Sequence, residues 1–186
     1  FTDITDRKRR EANLAFLADL MNDFAPLATA EEIMEMAGKR IAEHLDLSRY
    51  LFVEINPEAG ECTYLLPSRP AGQLEISGSY ILADYHTEEE NRLLSAGHSM
   101  VVNDVRDGTR SPEQIAAFEA FDIASIVNTP YLSNGRWVFD LGVTRSKPSV
   151  WREDEIELLR EISARVWLRI ERAQSEADLR QSEAKY

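Results

Sequence analysis

Residues 124–143 read ASIVNTPYLSNGRWVFDLGV, with a run of branched and aromatic residues on each side of Asn134 and Gly135. Runs of this composition are typical of β-strands. Asn-Gly favours a two-residue turn in which both residues have positive φ, the usual connection of a tight hairpin. The stretch therefore predicts an antiparallel hairpin that forms the centre of the fold.

The predicted turn determines which residues share a face of the hairpin. If Ser133 lies opposite Arg136, partners keep a constant sum of residue numbers, so Thr129 lies opposite Asp140. One face is then mostly apolar and is expected to contact a core: Ile126, Asn128, Pro130, Leu132, Trp137, Phe139, Leu141 and Val143. The other face is mixed and is expected to contact solvent or a cavity: Ser125, Val127, Thr129, Tyr131, Val138, Asp140, Gly142 and Thr144.

The rest of the chain alternates between strand and helix patterns. The opening residues Phe1–Ile4 look like the end of a strand, and RYLFVEI, ECTYLLP, GSYILADY and SMVVNDV predict four strands ahead of the hairpin. Capping boxes at 29–32 and 87–90, and a Ser-Pro start at 111–112, begin three further helices. These patterns predict an α+β fold in which a six-stranded antiparallel sheet packs against helices.

Both end helices carry apolar residues at spacings of three and four, which is the pattern of a helix-pairing seam. The seams indicate a homodimer formed through these helices. The residues expected to form the dimer and to carry a signal are Leu14, Leu17 and Met21 in the first helix and Leu159, Val166, Ile170 and Ala173 in the last.

Composition excludes several partners. The net charge is −12 and the isoelectric point is about 4.7, so the field of the chain repels nucleic acid and anionic membrane surfaces. The single cysteine, Cys62, rules out an internal disulfide and fits a reducing compartment. No apolar run approaches the ~20 residues that span a bilayer and no signal peptide is present, so we expect a cytoplasmic segment without membrane contact.

No cluster of reactive side chains is evident. The sequence has neither a Ser/His/Asp arrangement nor a glycine-rich phosphate loop, and His44, His86 and His98 lack metal-ligand spacing. We therefore expect neither a catalytic site nor a metal site in this segment.

Four stretches resemble the GAF domain: AGHSMVVNDVRDGTR, FEAFDIASIVNTPYL, NGRWVFDLGV and KPSVWREDEIELLREISARVWLRIERA. The last is similar to GAF domains that lie between PAS domains in bacterial sensor histidine kinases. FTDITDRKRREA resembles the closing strand and exit helix of a PAS domain, and LRQSEAKY resembles the lead-in helix of another. The resemblance implies the end of a PAS-like domain at 1–6, a signalling helix at 7–24, a GAF domain at 25–172 and a second signalling helix at 173–186.

The resemblance implies a non-enzymatic sensory or relay module of a two-component histidine kinase, whose partners are a second copy and the neighbouring PAS and kinase domains. Two alternatives stay open: a ligand-free dimerisation module that spaces PAS domains, and the same module in a cyclic-dinucleotide signalling enzyme. In GAF relatives a small ligand lies between the sheet and two inserted helices, the short helices that cover its pocket. With the predicted register, the pocket candidates are Tyr80, Tyr85, His98, Phe118, Phe121, Ser125, Thr129, Asp140 and Gly142.

Two residues depart from the family pattern. Arg152 stands where Ser or Thr would cap the last helix, and Asp140 stands where an apolar residue is usual. An unpaired buried carboxylate is costly, so Asp140 should bind a donor such as Thr129, Tyr131 or His98, or take up a proton. The alternative is an exposed strand end at which Asp140 pairs with Arg145.

The ligand stays unidentified at this level. Covalent bilin is not expected because Cys62 lies in an early strand, away from the inserted helices where bilin-attaching cysteines occur. Haem ligation by His86 or His98 is a minority alternative. The Asn-Lys-Phe-Asp-Glu set of cyclic-nucleotide GAF domains is absent, and one thiol argues against a GAF-type methionine sulfoxide reductase, which uses several.

Overall fold

A computed structural model describes residues 2–186 and contains one antiparallel sheet flanked by helices. The strand order is β3-β2-β1-β6-β5-β4. The elements are α1 (Thr2–Phe24), α2 (Ala30–Leu45), β1 (Arg49–Asn56), β2 (Glu61–Tyr64), β3 (Ser79–Ile81), a 3-10 turn (Leu82–Asp84), α3 (Glu88–Ser95), β4 (Met100–Val102), α4 (Pro112–Glu119), β5 (Ser125–Ser133), β6 (Arg136–Arg145) and α5 (Glu153–Ala184). The predicted α+β architecture is confirmed.

The start of the chain differs from its prediction. Residues 2–4, expected to end a strand, form the first turn of α1. Within residues 2–186 no strand pairs with this segment, so its backbone hydrogen bonds are satisfied locally in a helix. Phe1 lies outside the described residues.

Helices α1, α2 and α5 cover one face of the sheet. Val127, Phe139, Leu141 and Val143 point into the core that these helices close. The capping box of Thr29 and Glu32 starts α2 as predicted. Gly38 lets α2 approach β1 closely, because a Cβ at this position would lie 2.2 Å from a ring carbon of Tyr50.

α1 and α5 run side by side in the same direction. Asn13 Nδ2 donates to the backbone oxygen of Asp154 at 3.3 Å, and Arg169 Nη2 donates to that of Leu27 at 2.8 Å. Residues 3–12 and 174–184 are exposed apart from the half-buried Asp6 and Glu176. The exposed segments therefore lie at opposite ends of the helix pair.

Most of the predicted pairing seam is used within the chain itself. Leu159, Val166, Ile170 and Ala173 are buried in the core that α1, α2 and the sheet form with α5, and Leu17 is also in this core. Met21 is half-buried and Leu14 is 67% exposed. The spacing of three and four predicted an amphipathic face correctly, but that face packs into the core of its own chain and is unavailable to a second copy.

The β5–β6 hairpin turns at Asn134 and Gly135, which have φ of 52° and 77° as expected. A β-bulge then shifts the register between Tyr131 and Leu132. The predicted pair Ser133–Arg136 forms, but the partner of Thr129 is Leu141 and that of Asp140 is Pro130. Predicted pairings beyond the bulge are therefore wrong by one residue.

The bulge also changes which predicted residues share a face. Because side chains alternate along a strand, Ser125 and Thr129 share the helical face with Val127. Asp140 and Gly142 alternate with the core residues of β6 and lie on the opposite face. The prediction that all four share one polar face is thus wrong for Ser125 and Thr129. It assumed an uninterrupted register, in which paired residue numbers keep a constant sum, and such a register does not allow for a bulge.

Candidate functional site

A cavity of about 50 Å³ lies between the second face of the sheet and the segments that cover it. The cover comprises the 3-10 turn, α4 and the loop 65–78, and apolar and aromatic side chains form most of the wall. The lining residues are Leu51, Val53, Ile55, Cys62, Tyr64, Ile76, Leu82, Tyr85, His86, Phe118, Phe121, Ile123, Ile126, Asn128 and Asp140.

Four pocket candidates line this cavity, namely Tyr85, Phe118, Phe121 and Asp140. Tyr80 lies directly behind the wall, with its ring edge-to-face at 6.0 Å from that of Tyr85 and at 6.2 Å from that of Phe121. The structure therefore brings together the aromatic candidates and the carboxyl group.

Other candidates lie elsewhere. His98 is exposed in the turn between α3 and β4, and Ser125 Oγ donates to the backbone oxygen of Lys147 at 3.0 Å. Thr129 Oγ1 donates to the backbone oxygen of Leu141 at 3.0 Å on the helical side. Gly142 is on the cavity face but outside the wall.

Asp140 is the exceptional residue of the wall. It is 3% exposed, and its Oδ1 atom has no hydrogen-bond partner. Burial raises the pKa of the carboxyl well above its ordinary value, while a hydrogen bond from the Thr129 backbone amide acts in the opposite direction. Of the partners proposed from the sequence, only the Thr129 backbone is in contact with the carboxyl.

The alternative pairing of Asp140 with Arg145 is wrong. Arg145 Nη2 contacts Glu155 Oε2 at 2.8 Å and donates to the backbone oxygen of Leu45 at 2.6 Å. Its guanidinium also lies 4.0 Å from the ring centre of Trp151. Arg145 thus joins the end of α2 to the start of α5, where Glu155 accepts from the Arg152 backbone amide at 2.9 Å and supplies the missing cap.

Gly142, Asn128 and His86 form a polar group that the sequence did not reveal. A Cβ on Gly142 would lie 2.7 Å from Asn128 Oδ1, so glycine leaves the space that the Asn128 amide occupies. Asn128 Nδ2 then lies 3.3 Å from His86 Nε2, and His86 Nδ1 lies 2.9 Å from Asn91 Oδ1. The contact could have been predicted only from the pairing of Asn128 with Gly142 across the sheet. That pairing depends on the bulge, which the predicted register lacked.

The other titratable groups of the wall are held in their neutral forms. Burial raises the pKa of Cys62 to about 11 and that of Tyr85 to about 12. Burial also raises the pKa of Tyr64 and lowers that of His86. Within residues 2–186, the cavity wall includes no arginine or lysine.

Two buried arginines hold the cover in place. Arg110 forms an ion pair with Glu90, and its guanidinium lies 5.4 Å from the ring centre of Phe118, which joins α3 to α4. Arg49 donates to the backbone oxygens of Ser68 at 3.0 Å and Phe121 at 3.2 Å. These bonds fix the loop 65–78 and the end of α4 around the cavity.

Two further searches cover the described part of the chain. In residues 2–186, no group of three or more His, Cys, Asp or Glu side chains is arranged to hold a metal ion. None of the helices in the same residues combines the length and the apolar character needed to cross a membrane.

The family model described as GAF domain matches residues 29–170. This range covers most of the chain, which therefore belongs to the GAF domain family, a family of sensory modules. Among curated proteins, none matches the sequence significantly.

Solved structures support the same fold. The phycoerythrobilin-bound GAF domain of a cyanobacterial phytochrome has a TM-score of 0.71 and 14% identity, and covers 89% of this chain and 97% of that chain. Free methionine-R-sulfoxide reductase from Neisseria meningitidis, in complex with its substrate, has a TM-score of 0.69 and 14% identity. The match covers 90% of this chain and 93% of that chain. A domain assigned to a two-component sensor histidine kinase of Sinorhizobium meliloti 1021 has a TM-score of 0.59 and 20% identity. The match covers 81% of this chain and 96% of that chain.

The cavity also bears on the cofactors considered from the sequence. Cys62 lies in the early strand β2 as predicted and lines the cavity from there, and its raised pKa disfavours a reactive thiolate. Both ring nitrogens of His86 already have partners, and haem ligation through either would break one contact.

Replacing Asp140 should reveal its buried carboxyl through the pH dependence of stability. Between about pH 4 and its raised folded-state pKa, the folded protein binds the extra proton, so wild-type stability falls by up to about 1.4 kcal/mol per pH unit as pH rises. Asparagine does not titrate, so in urea unfolding the stability of Asp140→Asn relative to wild type should increase as pH rises above about 4, and it should level off above the folded-state pKa of the carboxyl.

The matched control is Asp19→Asn, the same change at an exposed position of α1. This variant measures the effect of the same chemical change without burial. A constant difference between Asp140→Asn and wild type at all pH values would show that the carboxyl ionises normally.

Proposed function

We propose that this chain is a cytoplasmic sensory and relay module of a two-component sensor histidine kinase, in which a small molecule in the cavity shifts the arrangement of α1 and α5. The observation that carries the proposal is the unpartnered Oδ1 of Asp140 in a largely apolar cavity. A buried polar atom without a partner costs free energy that a ligand can recover, and few convergent polar groups in an apolar wall are typical of ligand sites.

Thr129 offers a short connection from the cavity to α5. Its backbone amide hydrogen-bonds to the Asp140 carboxyl, and its backbone oxygen accepts from Ser163 Oγ at 2.9 Å. A ligand that changes the charge or position of Asp140 would act on the residue whose backbone oxygen also accepts from α5. The ligand shifts the helices only as far as it binds their two arrangements differently.

The ends of α1 and α5 suit a module within a longer array. Their exposed segments lie at opposite ends of the helix pair, and isolated helices of this length are marginal without packing. We propose that residues 1–6 end an upstream PAS-like domain, that 7–24 and 173–186 are signalling helices, and that 25–172 is the GAF domain between them. Kinase output would belong to other domains, and a cyclic-dinucleotide enzyme could use the same module.

We propose that the module is a dimer, paired through a face that combines α1 and α5. Leu14 and Leu158 line a groove between the two helices whose rim carries Arg10, Arg160 and Glu161. Leu168 is 53% exposed and lies seven residues after Glu161, so it shares that face of α5. Adjacent charges of both signs can pair with themselves across a two-fold axis, which is the geometry of most homodimers.

A ligand-free spacer is the second candidate. The specific observation that favours it is the cavity volume of about 50 Å³, far below the ~300 Å³ at the lower end of common ligand pockets. In this function α1 and α5 would pass on movements of neighbouring PAS domains without a ligand.

Native mass spectrometry can separate a ligand-binding module from a spacer. Val53 lines the cavity opposite Asp140, so Val53→Phe should fill it, while Val101→Phe makes the same change at a 41% exposed position on β4. A sensor should retain extra mass in wild type and in Val101→Phe and lose it in Val53→Phe. Proteins without extra mass in all three samples would exclude a tightly held ligand and would favour the spacer over a tight-binding sensor.

The dimer face makes a separate prediction. Leu168→Glu should raise the dimer dissociation constant at least tenfold, since it places a charge in an apolar contact, a cost of about 1.4 kcal/mol or more. Leu74→Glu is the control, because Leu74 is 63% exposed in the loop 65–78 and far from this face. Sedimentation at several concentrations measures both variants. Equal dissociation constants in both variants, or a monomeric wild type at high concentration, would contradict the proposed interface.

A further inference from the structure

We propose that the cavity binds a compact organic ammonium ion, with the Asp140 carboxylate as its counter-ion and aromatic rings around it. The inference rests on the proposed ligand-binding function and names the class of its ligand. It stands on the side chains that converge on the cavity, considered one by one below.

The charges of the wall select against anions. Asp140 is the acidic member of the wall, and its Oδ1 atom is free. The titratable groups that face it are Cys62 and Tyr64 from β2, Tyr85 after the 3-10 turn and His86 before α3. β1 and α4 contribute apolar residues. Since these groups are neutral and the wall in residues 2–186 lacks arginine and lysine, a phosphate or carboxylate ligand would have no cation to pair with.

The aromatic residues suit a cation. Tyr64, Tyr85, Phe118 and Phe121 all line the cavity, and the rings of Tyr85 and Phe118 meet edge-to-face at 5.3 Å. The faces of aromatic rings attract cations, most strongly where water is excluded. A carboxylate with several rings around it therefore provides both the ionic and the cation–π partners that an alkylammonium needs.

The volume limits the ligand to a few heavy atoms. A cavity of about 50 Å³ holds roughly three to five water molecules, at about 10–15 Å³ each. Ethylammonium, with an N–H group for Asp140 Oδ1 and an alkyl end for the rings, matches this size and polarity. Nucleotides and tetrapyrroles are too large for the cavity in this arrangement.

Binding should release a proton. In the empty cavity burial favours the neutral carboxyl, whereas an ammonium ion stabilises the carboxylate, so the carboxyl proton passes to solvent as the cation binds. His86 does not take up this proton, because burial lowers its pKa. The affinity for an ammonium ion should therefore increase with pH, below the pKa of the amine itself.

The test uses three size-matched probes and the whole chain. Ethylammonium chloride, ethanol and sodium acetate are titrated at constant ionic strength while amide NMR signals are followed. The proteins are wild type, Asp140→Asn, the exposed control Asp19→Asn and the cavity-filling Val53→Phe. Circular dichroism of each variant establishes that it is folded before titration.

The expected result is saturable binding of ethylammonium with a dissociation constant of roughly 1–10 mM, because a ligand of so few atoms makes few contacts. Asp140→Asn should weaken this binding at least tenfold and Val53→Phe should abolish it. Asp19→Asn should leave it unchanged. Affinity should rise with pH in wild type until the Asp140 carboxyl of the free protein is ionised, and it should lose this rise in Asp140→Asn.

Two results would overturn the ammonium proposal. They differ in whether they also contradict the proposed ligand-binding function of the cavity. If ethanol or acetate saturates wild type but not Val53→Phe while ethylammonium does not bind, the ligand class is wrong and the cavity remains a sensor site. If no probe saturates up to about 50 mM, both the ammonium ligand and the cavity sensor are contradicted. The comparison of probes on wild type decides the matter even if Asp140→Asn fails to fold.

Discussion

The bulge between Tyr131 and Leu132 is the constraint on which the site depends. Beyond the bulge, the side chains of β6 point to the opposite faces from those that a regular hairpin would give them. Phe139 and Leu141 therefore pack under the helices, while Asp140 shares the cavity face with Asn128. Without the extra residue, Asp140 would share a face with Val127 and oppose Thr129. One irregular position thus separates an apolar core from a polar site within the same two strands.

The buried carboxyl then links three parts of the molecule. Its burial is costly, and the free Oδ1 atom shows that the protein leaves part of that cost uncompensated. Buried Arg49 and Arg110 fix the cover over the cavity through carbonyl oxygens and Glu90. On the other side of the sheet, Ser163 binds the Thr129 backbone. The sheet is therefore the shared wall between a cavity and the helices that we propose carry the signal.

Much of the fold was predictable from local patterns, because capping boxes, the Asn-Gly turn and apolar periodicity act within a few residues. The six strands, the short helices and the aromatic side of the cavity follow from such patterns. The role of Asn128 did not, since it depends on the missing Cβ of Gly142 across the sheet. The elements that pack on the apolar face of α5 could not be predicted either. Periodicity shows that Leu159 and Val166 are buried, but it does not show which elements bury them.

Asp140 is a buried carboxyl without a full set of partners, and this property can be measured by titrating its side chain. The side-chain carboxyl carbon can be followed by ¹³C NMR from acid to neutral pH, with Asp140→Asn identifying its signal. We predict a midpoint well above the ordinary value of 3.8. A midpoint at or below 3.8 would show that the carboxylate is solvated or paired in solution, and it would contradict this account of the cavity.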